Sequence, residues 1–335
     1  MREHWPLIGR DRELGELTGQ LSSTEYRGVV LVGKPGVGKS RLAREVVSAA
    51  QAAGWTVRKA AATATSQLIP LGAFTQWTDD LRGGEPIEWA RRVAQALTTG
   101  VQPQRVLVFV DDAHLLDALS ALVVHQIVQS QAAPVIVTIR AGESAPAAIT
   151  ALWKDGLLCR REVEPLARNE INALMAAVLG GGTPDQHCGD KLWRLTRGNV
   201  LFLRQLVEQE SQAGRLVSHD GGAVRWCGDA AISGSLAEVV DAQIGAVPGG
   251  VRDVVDLVAV AEPLDWKCLR LLADTAAIEQ AEQRELIRTV GDDVYIGHPM
   301  YAEIRVNRCG PTRLRRLRGG QIATAMKDGG GPAAA

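Results

Sequence analysis

The stretch VVLVGKPGVGKS, residues 29–40, decides which fold this chain can adopt. Its four leading apolar residues are typical of a buried strand, and the glycine-rich segment behind them ends in lysine and serine. A GxxxxGK[ST] pattern between a strand and a helix turns backbone N–H groups toward a phosphate, and the positive end of the helix points to the same place. We therefore predict a phosphate-binding loop (P-loop) rather than a glycine-rich surface turn.

Two side chains of this loop carry the expected chemistry. Lys39 would neutralise oxygens of the β- and γ-phosphates of ATP, and the Ser40 hydroxyl would hold Mg²⁺. Lysine is scarce in the chain, with seven residues against thirty arginines, so a lysine at this position is informative. The residues expected to surround the nucleotide phosphates are Gly33, Lys34, Pro35, Gly36, Val37, Gly38, Lys39, Ser40 and Arg41.

The rest of the first half alternates between strand-like runs and helical patterns, which is typical of a parallel sheet covered by helices on both faces. The strand-like runs are VVLV (29–32), WTVRKAAA (55–62), VLVFV (106–110), VIVTI (135–139) and LLCRREV (157–163). We predict an α/β fold of the P-loop NTPase type with a five-stranded sheet.

Beyond Pro165 the strand signals nearly vanish and helical patterns dominate. A hairpin is predicted in RLVSHDGGAVRWC (215–227), with its turn at Asp220-Gly221-Gly222, and a β wing at GDDVYIG (291–297). We divide the chain into a P-loop ATPase core (1–163), a helical lid with the hairpin (164–232), a winged-helix-like module (233–310) and a truncated helical linker with a disordered tail (311–335).

Composition excludes several classes of protein. The formal charge of −1 gives no global basic field for nucleic acid or an anionic membrane. No apolar run approaches the roughly 18 residues of a membrane span, and MREHWPLIGR lacks the apolar centre of a signal peptide. Five cysteines at wide spacings suit neither a disulfide framework nor a zinc site. We expect a cytoplasmic protein.

Two adjacent carboxylates follow the strand-like run in VLVFVDDAH (106–114). The carboxyl edge of a parallel sheet is where ligands bind in open α/β folds. Asp111 suits a ligand of Mg²⁺, and Asp112 is placed to orient the attacking water. The alternative is an N-cap for the helix predicted to start there, although two aspartates exceed what a cap needs.

The next strand-like run, VIVTIR (135–140), places Thr138 and Arg140 at its end. At that edge of the sheet the cation Arg140 would sense the γ-phosphate. An arginine at the end of a strand is also common as a plain surface residue, and the residues alone leave both readings open.

Six segments in this order resemble the STAND class of signal-transduction ATPases, and most of all the large ATP-binding, MalT-like LuxR-type transcriptional regulators of actinobacteria. The segments are LIGRDREL (7–14), GKPGVGKS (33–40), VLVFVDDAH (106–114), VIVTIR (135–140), LTRGNVLFLRQL (195–206) and GHPMYAEI (297–304). The resemblance spans roughly residues 5 to 325.

The resemblance implies roles for particular residues. It places Ile8, Gly9 and Arg10 beside the adenine, and it makes Arg140 a sensor on the strand between the P-loop and Asp111-Asp112. His298 would donate to the β-phosphate of ADP. The residues alone leave another role open, because a histidine before Pro299 also suits a helix cap.

The chain departs from the family pattern at two places. The lid motif of the class reads Gly-Asn-Pro, whereas this chain has Gly198-Asn199-Val200. Members of the class continue into a helical-repeat region and a C-terminal helix-turn-helix, neither of which follows here. The resemblance therefore implies an ATP- and Mg²⁺-dependent switch that binds no DNA by itself and acts through self-association or a protein partner.

A DNA-handling AAA+ ATPase of the initiator or loader type is the alternative. RVNRCGPTRLRRLR (305–318) places six arginines in fourteen residues, where they could meet phosphates. The other interpretation is the polar face of one amphipathic helix whose Leu314 and Leu317 pack inward, which base rates favour. A metabolic kinase is a third class, but the sequence shows no second pocket for a phosphate acceptor.

Overall fold

The computed structural model describes residues 5–21, 26–79, 81, 83–99, 105–218, 222–228, 234–244 and 247–328. It separates into two compact units, Met1–Leu166 and Ala167–Ala335. None of the helices in the described ranges combines the length and apolar character that a membrane span requires.

The first unit contains five strands and five α-helices among its described residues. They are α1 (Asp11–Leu21), β1 (Gly28–Gly33), α2 (Lys39–Ala52), β2 (Thr56–Ala61), α3 (Pro86–Thr98), β3 (Val106–Asp111), α4 (Ala118–Gln129), β4 (Val135–Arg140), α5 (Ala147–Lys154) and β5 (Cys159–Glu162). All five predicted strand runs therefore form strands.

The five strands form one parallel sheet in the order β2-β3-β4-β1-β5. In β1 every residue is buried, as expected of a central strand covered on both faces. One hydrophobic cluster joins α3, α4 and α5 to the sheet, and another joins α1 and α2 to it. The predicted α/β fold with a five-stranded sheet is confirmed.

The order of the strands brings together residues that are far apart in sequence. β4 lies between β3 and β1, which is the position that the resemblance implies for the strand carrying Arg140. In the register of the sheet, Gly33 pairs with Arg140 and Ala61 pairs with Asp111. Since all strands run in parallel, the residues that end β1, β3 and β4 lie at the same edge of the sheet.

The second unit is mainly helical. Its elements are α6 (Arg168–Val178), β6 (Thr183–Pro184), α7 (Gln186–Thr196), α8 (Val200–Gln212), β7 (Leu216–Ser218), β8 (Ala223–Trp226), α9 (Gly234–Ile244), α10 (Gly249–Ala261), β9 (Leu264–Asp265), α11 (Trp266–Leu272), α12 (Thr275–Gln283), β10 (Ile287–Val290), β11 (Asp293–Ile296), α13 (Pro299–Arg308) and α14 (Pro311–Asp328).

The predicted hairpin forms from β7 and β8, which pair antiparallel. Of its predicted turn, Gly222 has a φ of 79°, whereas Asp220 and Gly221 lie outside the described residues. Residues 329–335 of the predicted tail also lie outside them. At the predicted wing, β10 and β11 form a second antiparallel hairpin, and β9 extends it to three strands.

Candidate functional site

The predicted P-loop connects β1 to α2. Gly36 and Gly38 have φ values of 80° and 102°, in the left-handed region that favours glycine. Gly33 is needed for space, because a Cβ there would lie 2.5 Å from the carbonyl oxygen of Val163. Val37 is buried against the sheet, whereas Lys34 is exposed. Glycine is thus required at Gly36 and Gly38 for the backbone conformation and at Gly33 for the close approach of Val163.

Lys39 is the buried cation of the loop, with 6% of its surface exposed. Its Nζ donates to the carbonyl oxygens of Gly33, at 2.8 Å, and of Lys34, at 3.0 Å. Burial lowers the pKa of Lys39 to about 8; Asp112 and Asp111 oppose this shift, and Arg140 adds to it. The ammonium group is therefore held by weak neutral acceptors, and an anion would stabilise its charge.

Asp111, which ends β3, connects the P-loop and α2 to the neighbouring strand β4. Its Oδ1 accepts hydrogen bonds from the hydroxyls of Ser40 and Thr138, both at 2.6 Å. Its Oδ2 lies 3.3 Å from Nη2 of Arg44 on α2. Ser40 and Asp111, the two predicted magnesium ligands, thus present neighbouring hard oxygen atoms, which is the donor set that Mg²⁺ prefers. The residues present fit this ion.

Asp112 leaves the strand in a left-handed conformation, with a φ of 54°. Its backbone N–H donates to the Thr138 hydroxyl at 2.8 Å, and its Oδ1 lies 3.7 Å from Nε of Arg140. The side chain of Asp112 makes no capping hydrogen bond. Asp117 caps α4 instead, accepting from two backbone N–H groups of the first turn. The capping interpretation of Asp112 is therefore wrong.

Thr138, near the end of β4, is a functional neighbour to which the sequence assigned no role. It is fully buried in β4, and its single hydroxyl donates to Asp111 and accepts from the backbone of Asp112. A polar residue inside an apolar strand was the available signal. Its partners depend on the order of the strands, so the sequence could not identify them.

Arg10 and Arg41, two other predicted nucleotide contacts, have protein partners in the structure. Arg10 is buried and donates to Glu13, at 2.8 Å, and to the carbonyl oxygen of Glu164. Arg41 forms an ion pair with Glu45 at 2.6 Å, one turn further along α2. Arg10 thereby ties the LIGRDREL segment to the chain beyond β5.

His298 lies in the second unit at the start of α13. Its Nδ1 accepts from the backbone N–H of Met300 at 3.1 Å, so the histidine caps the helix. Its Nε2 lies 3.0 Å from the carbonyl oxygen of Thr196. Since Nδ1 is the acceptor, Nε2 carries the proton in a neutral ring and donates to that carbonyl. Phe202 packs edge-on against the ring.

The Gly-Asn motif forms the turn between α7 and α8. Gly198 has a φ of 80°, and Oδ1 of Asn199 accepts from the N–H groups of Leu201 and Phe202. Val200 takes the first position of α8, where the family pattern has proline. The asparagine cap therefore starts this helix without proline.

The arginine-rich run forms two helices, so the predicted single helix is wrong. α13 ends at Arg308, and α14 begins at Pro311, which is favoured at a first helical position. Leu314 and Leu317 pack inward, as predicted. Three of the arginines face carboxylates of α9 and α10; these pairs are Arg305–Asp256, Arg308–Asp241, Arg313–Asp253 and Arg313–Asp256.

Comparison with known families identifies the first unit. Residues 6–139 match the AAA ATPase domain family, which covers the P-loop, Asp111-Asp112 and nearly all of β4. No curated protein matches the chain in sequence. The chain therefore contains an AAA ATPase domain with a P-loop NTPase fold, a family that binds nucleotide and usually Mg²⁺.

Solved structures share the fold at low identity. The Walker-type ATPase PABY2304 of Pyrococcus abyssi superposes with a TM-score of 0.51 and 13% identity, covering 90% of this chain and 96% of that one. The Aeropyrum pernix ORC1 protein, solved in complex with DNA, gives a TM-score of 0.49 and 13% identity, covering 96% of each chain.

The RuvB Holliday junction branch migration motor of Thermotoga maritima gives a TM-score of 0.44 and 12% identity, covering 91% of this chain and 96% of that one. Identities this low indicate the fold alone. The ORC1 and RuvB likenesses, with TM-scores below 0.5, carry no argument about this chain.

Proposed function

Because residues 6–139 match the AAA ATPase domain family, we propose that the chain is an ATP-binding signal-transduction switch of the STAND class, related to the LuxR-type regulators, with slow ATP hydrolysis. The observation that carries this proposal is the hydrogen-bond network in which Asp111 and Thr138 connect Ser40 to Asp112. This network joins the phosphate-binding loop to both acidic residues and to the strand of Arg140.

In the proposed reaction, a water oxygen bonds to the γ-phosphorus while the bond from that phosphorus to the bridging oxygen breaks. ADP leaves with the electron pair, and the proton of the water passes to Asp112 and then to solvent. Lys39 and Arg140 stabilise the charge on the phosphate oxygens. Ser40 and Asp111 would hold Mg²⁺, which neutralises negative charge on the phosphates when bound.

The switch function is proposed from the second unit. The helices α6, α7 and α8 with the β7–β8 hairpin support a lid at 164–232, and α10–α13 with the β9–β11 sheet support a winged-helix-like module at 233–310. The N–H of His298 that donates to Thr196 is of the kind that would donate to the β-phosphate of ADP.

The arginine-rich run favours the switch over the DNA-handling alternative. Arg305, Arg308 and Arg313 pair with carboxylates of the same unit, so half of the six arginines are engaged in holding helices together. DNA phosphates would have to compete with these pairs. The output of the switch is then proposed to be self-association or binding of a protein partner.

The first experiment tests nucleotide binding. Lys39→Ala is expected to abolish measurable affinity for ATP and ADP in calorimetry while the circular dichroism spectrum is unchanged, because it removes the buried cation of the phosphate loop. Lys59→Ala, on an exposed position of β2, is the matched control and should bind as the wild type does. Unchanged binding by Lys39→Ala would contradict the P-loop assignment.

The second experiment separates the two functions. ATP turnover of the wild type is measured with and without duplex DNA, at several salt concentrations. We expect slow turnover that DNA does not change, and DNA affinity without a steep salt dependence. Turnover stimulated by DNA, or a log-log slope of affinity against salt of about −4 or steeper, would favour the DNA-handling function, since each phosphate contact contributes about −0.9.

A further inference from the structure

His114 lies beside the candidate hydrolytic centre and was assigned no role by the motifs. It follows Asp112 in a short 3₁₀ turn, Ala113–Leu115, and only 4% of its surface is exposed. Its Nδ1 is buried and has no hydrogen-bond partner among the described residues. Leaving a buried polar atom without a partner destabilises the folded state, so its presence calls for a reason.

The position of His114 next to Asp112 gives a reason for this unpaired nitrogen. Its Nδ1 lies 3.9 Å from Oδ1 of Asp112, and Nε of Arg140 lies 3.7 Å from the same oxygen. Both distances are slightly longer than a direct hydrogen bond, so a small rotation or one bridging water would complete each contact. Oδ2 of Asp112 has no hydrogen bond to any residue that the structure describes, and it is left for the attacking water.

The charges around His114 favour a neutral ring. Burial lowers the pKa of His114, with Arg140 and Lys39 acting in the same direction; Asp112 and Glu143 oppose the shift. A neutral imidazole has one N–H, and an ionised carboxylate only accepts. A contact with Asp112 therefore requires the tautomer in which Nδ1 carries the proton.

We propose that His114 is a positioning residue for ATP hydrolysis, which holds Oδ1 of Asp112 through Nδ1–H so that Oδ2 faces the attacking water. Arg140 holds the same oxygen from the neighbouring strand. Once the γ-phosphate draws Arg140 away, His114 keeps the carboxylate oriented. The inference rests on the proposed ATPase function. The plain alternative is a histidine that only fills space in the turn.

The experiment compares His114→Leu, His114→Asn and the control His125→Leu, a partly buried histidine on α4. Single-turnover hydrolysis, ATP affinity and thermal stability are measured for each. Leucine fills the space without an N–H, whereas the asparagine amide can donate from near the position of Nδ1. If the role is positional, leucine slows hydrolysis by about tenfold or more with ATP affinity within about twofold, and asparagine restores much of the rate.

A second measurement does not depend on turnover. Nitrogen NMR of the chain with isotope-labelled histidines, six in all, reports the tautomer of each ring, and the His114→Asn spectrum assigns the signal. We expect the Nδ1–H tautomer at neutral pH, with a shift of that proton on adding ADP, aluminium fluoride and Mg²⁺. An Nε2–H tautomer that these additions do not change would overturn the proposal.

The outcomes separate this inference from the function on which it rests. A wild type that binds ATP without any turnover would overturn the hydrolytic function and the kinetic role of His114 with it. A wild type that turns ATP over, together with a His114→Leu variant of equal rate, would overturn the role of His114 alone. A His114→Leu variant that loses only thermal stability would establish the space-filling alternative.

Discussion

Replacing Thr138 by valine tests the hydrogen-bond network at its centre. Valine retains the shape of the side chain and removes the hydroxyl, so the N–H of Asp112 loses its acceptor and Asp111 loses one of two hydroxyl donors. A buried donor left unpaired costs about 1–3 kcal/mol, and a hydrogen bond to a charged group contributes a similar amount. Because Ser40 still donates to Asp111, we expect a loss of about 2–3 kcal/mol in the free energy of unfolding.

The same substitution should affect hydrolysis more than binding. Asp112 has a left-handed backbone, which few residues besides glycine, asparagine and aspartate adopt, and its N–H bond to the Thr138 hydroxyl helps to hold this conformation. Without that bond the carboxylate moves away from the position of the attacking water, whereas Lys39 and the loop glycines are untouched. Single-turnover hydrolysis is expected to fall by about tenfold or more, with ATP affinity within about threefold.

Urea unfolding and single-turnover kinetics measure both effects. Thr138→Ser is the matched control: it retains the hydroxyl and loses only a methyl group, which costs about 1 kcal/mol, and it should hydrolyse ATP within about threefold of the wild type. A Thr138→Val variant with wild-type turnover and a stability loss below about 0.5 kcal/mol would refute the reasoning.

Three further predictions follow from individual groups. Burial lowers the pKa of Lys39 to about 8, so the charged lysine destabilises the folded state; this loss of stability is complete below pH 8 and disappears as the pH rises toward 10.5, the value in the unfolded chain. The free energy of unfolding of the wild type, measured in urea, should therefore rise by up to about 3 kcal/mol over this pH range relative to that of Lys39→Met. A difference between the two proteins that does not change with pH would contradict this. Asp256→Ala should lower the free energy of unfolding by about 3–5 kcal/mol, because it leaves Arg305 and Arg313 without their buried partner. The control Asp253→Ala, at an exposed carboxylate, should lower it by less than about 1 kcal/mol, and equal losses for the two variants in urea unfolding would argue against this. His298→Ala should weaken ADP binding by about tenfold or more with little change for ATP in calorimetry, whereas a cap alone predicts equal effects on both nucleotides.

The local patterns of the sequence determined the core of the ATPase domain. Strands such as VVLV and VIVTI are covered on both faces, so each is a continuous apolar run that is visible without any partner. The P-loop is equally local, because its glycines shape the backbone of one turn and the side chain of Lys39 reaches carbonyl oxygens of that same turn. The hairpin at 215–227 and the antiparallel pair at GDDVYIG could be predicted for the same reason, since each depends on a turn and its two neighbouring segments.

Only the tertiary structure decided which side chains meet. Ser40 and Asp111 are far apart in the chain, and the hydrogen bond between them depends on β4 lying between β1 and β3. Hydropathy patterns specify that a strand is buried but not which strand lies next to it, so the central role of Thr138 could not be read from VIVTIR. The carboxylate partners of Arg305 and Arg313 could not be predicted from the sequence either. Amphipathic spacing indicates only which face of a helix is apolar, whereas ion pairs between helices depend on how the helices pack.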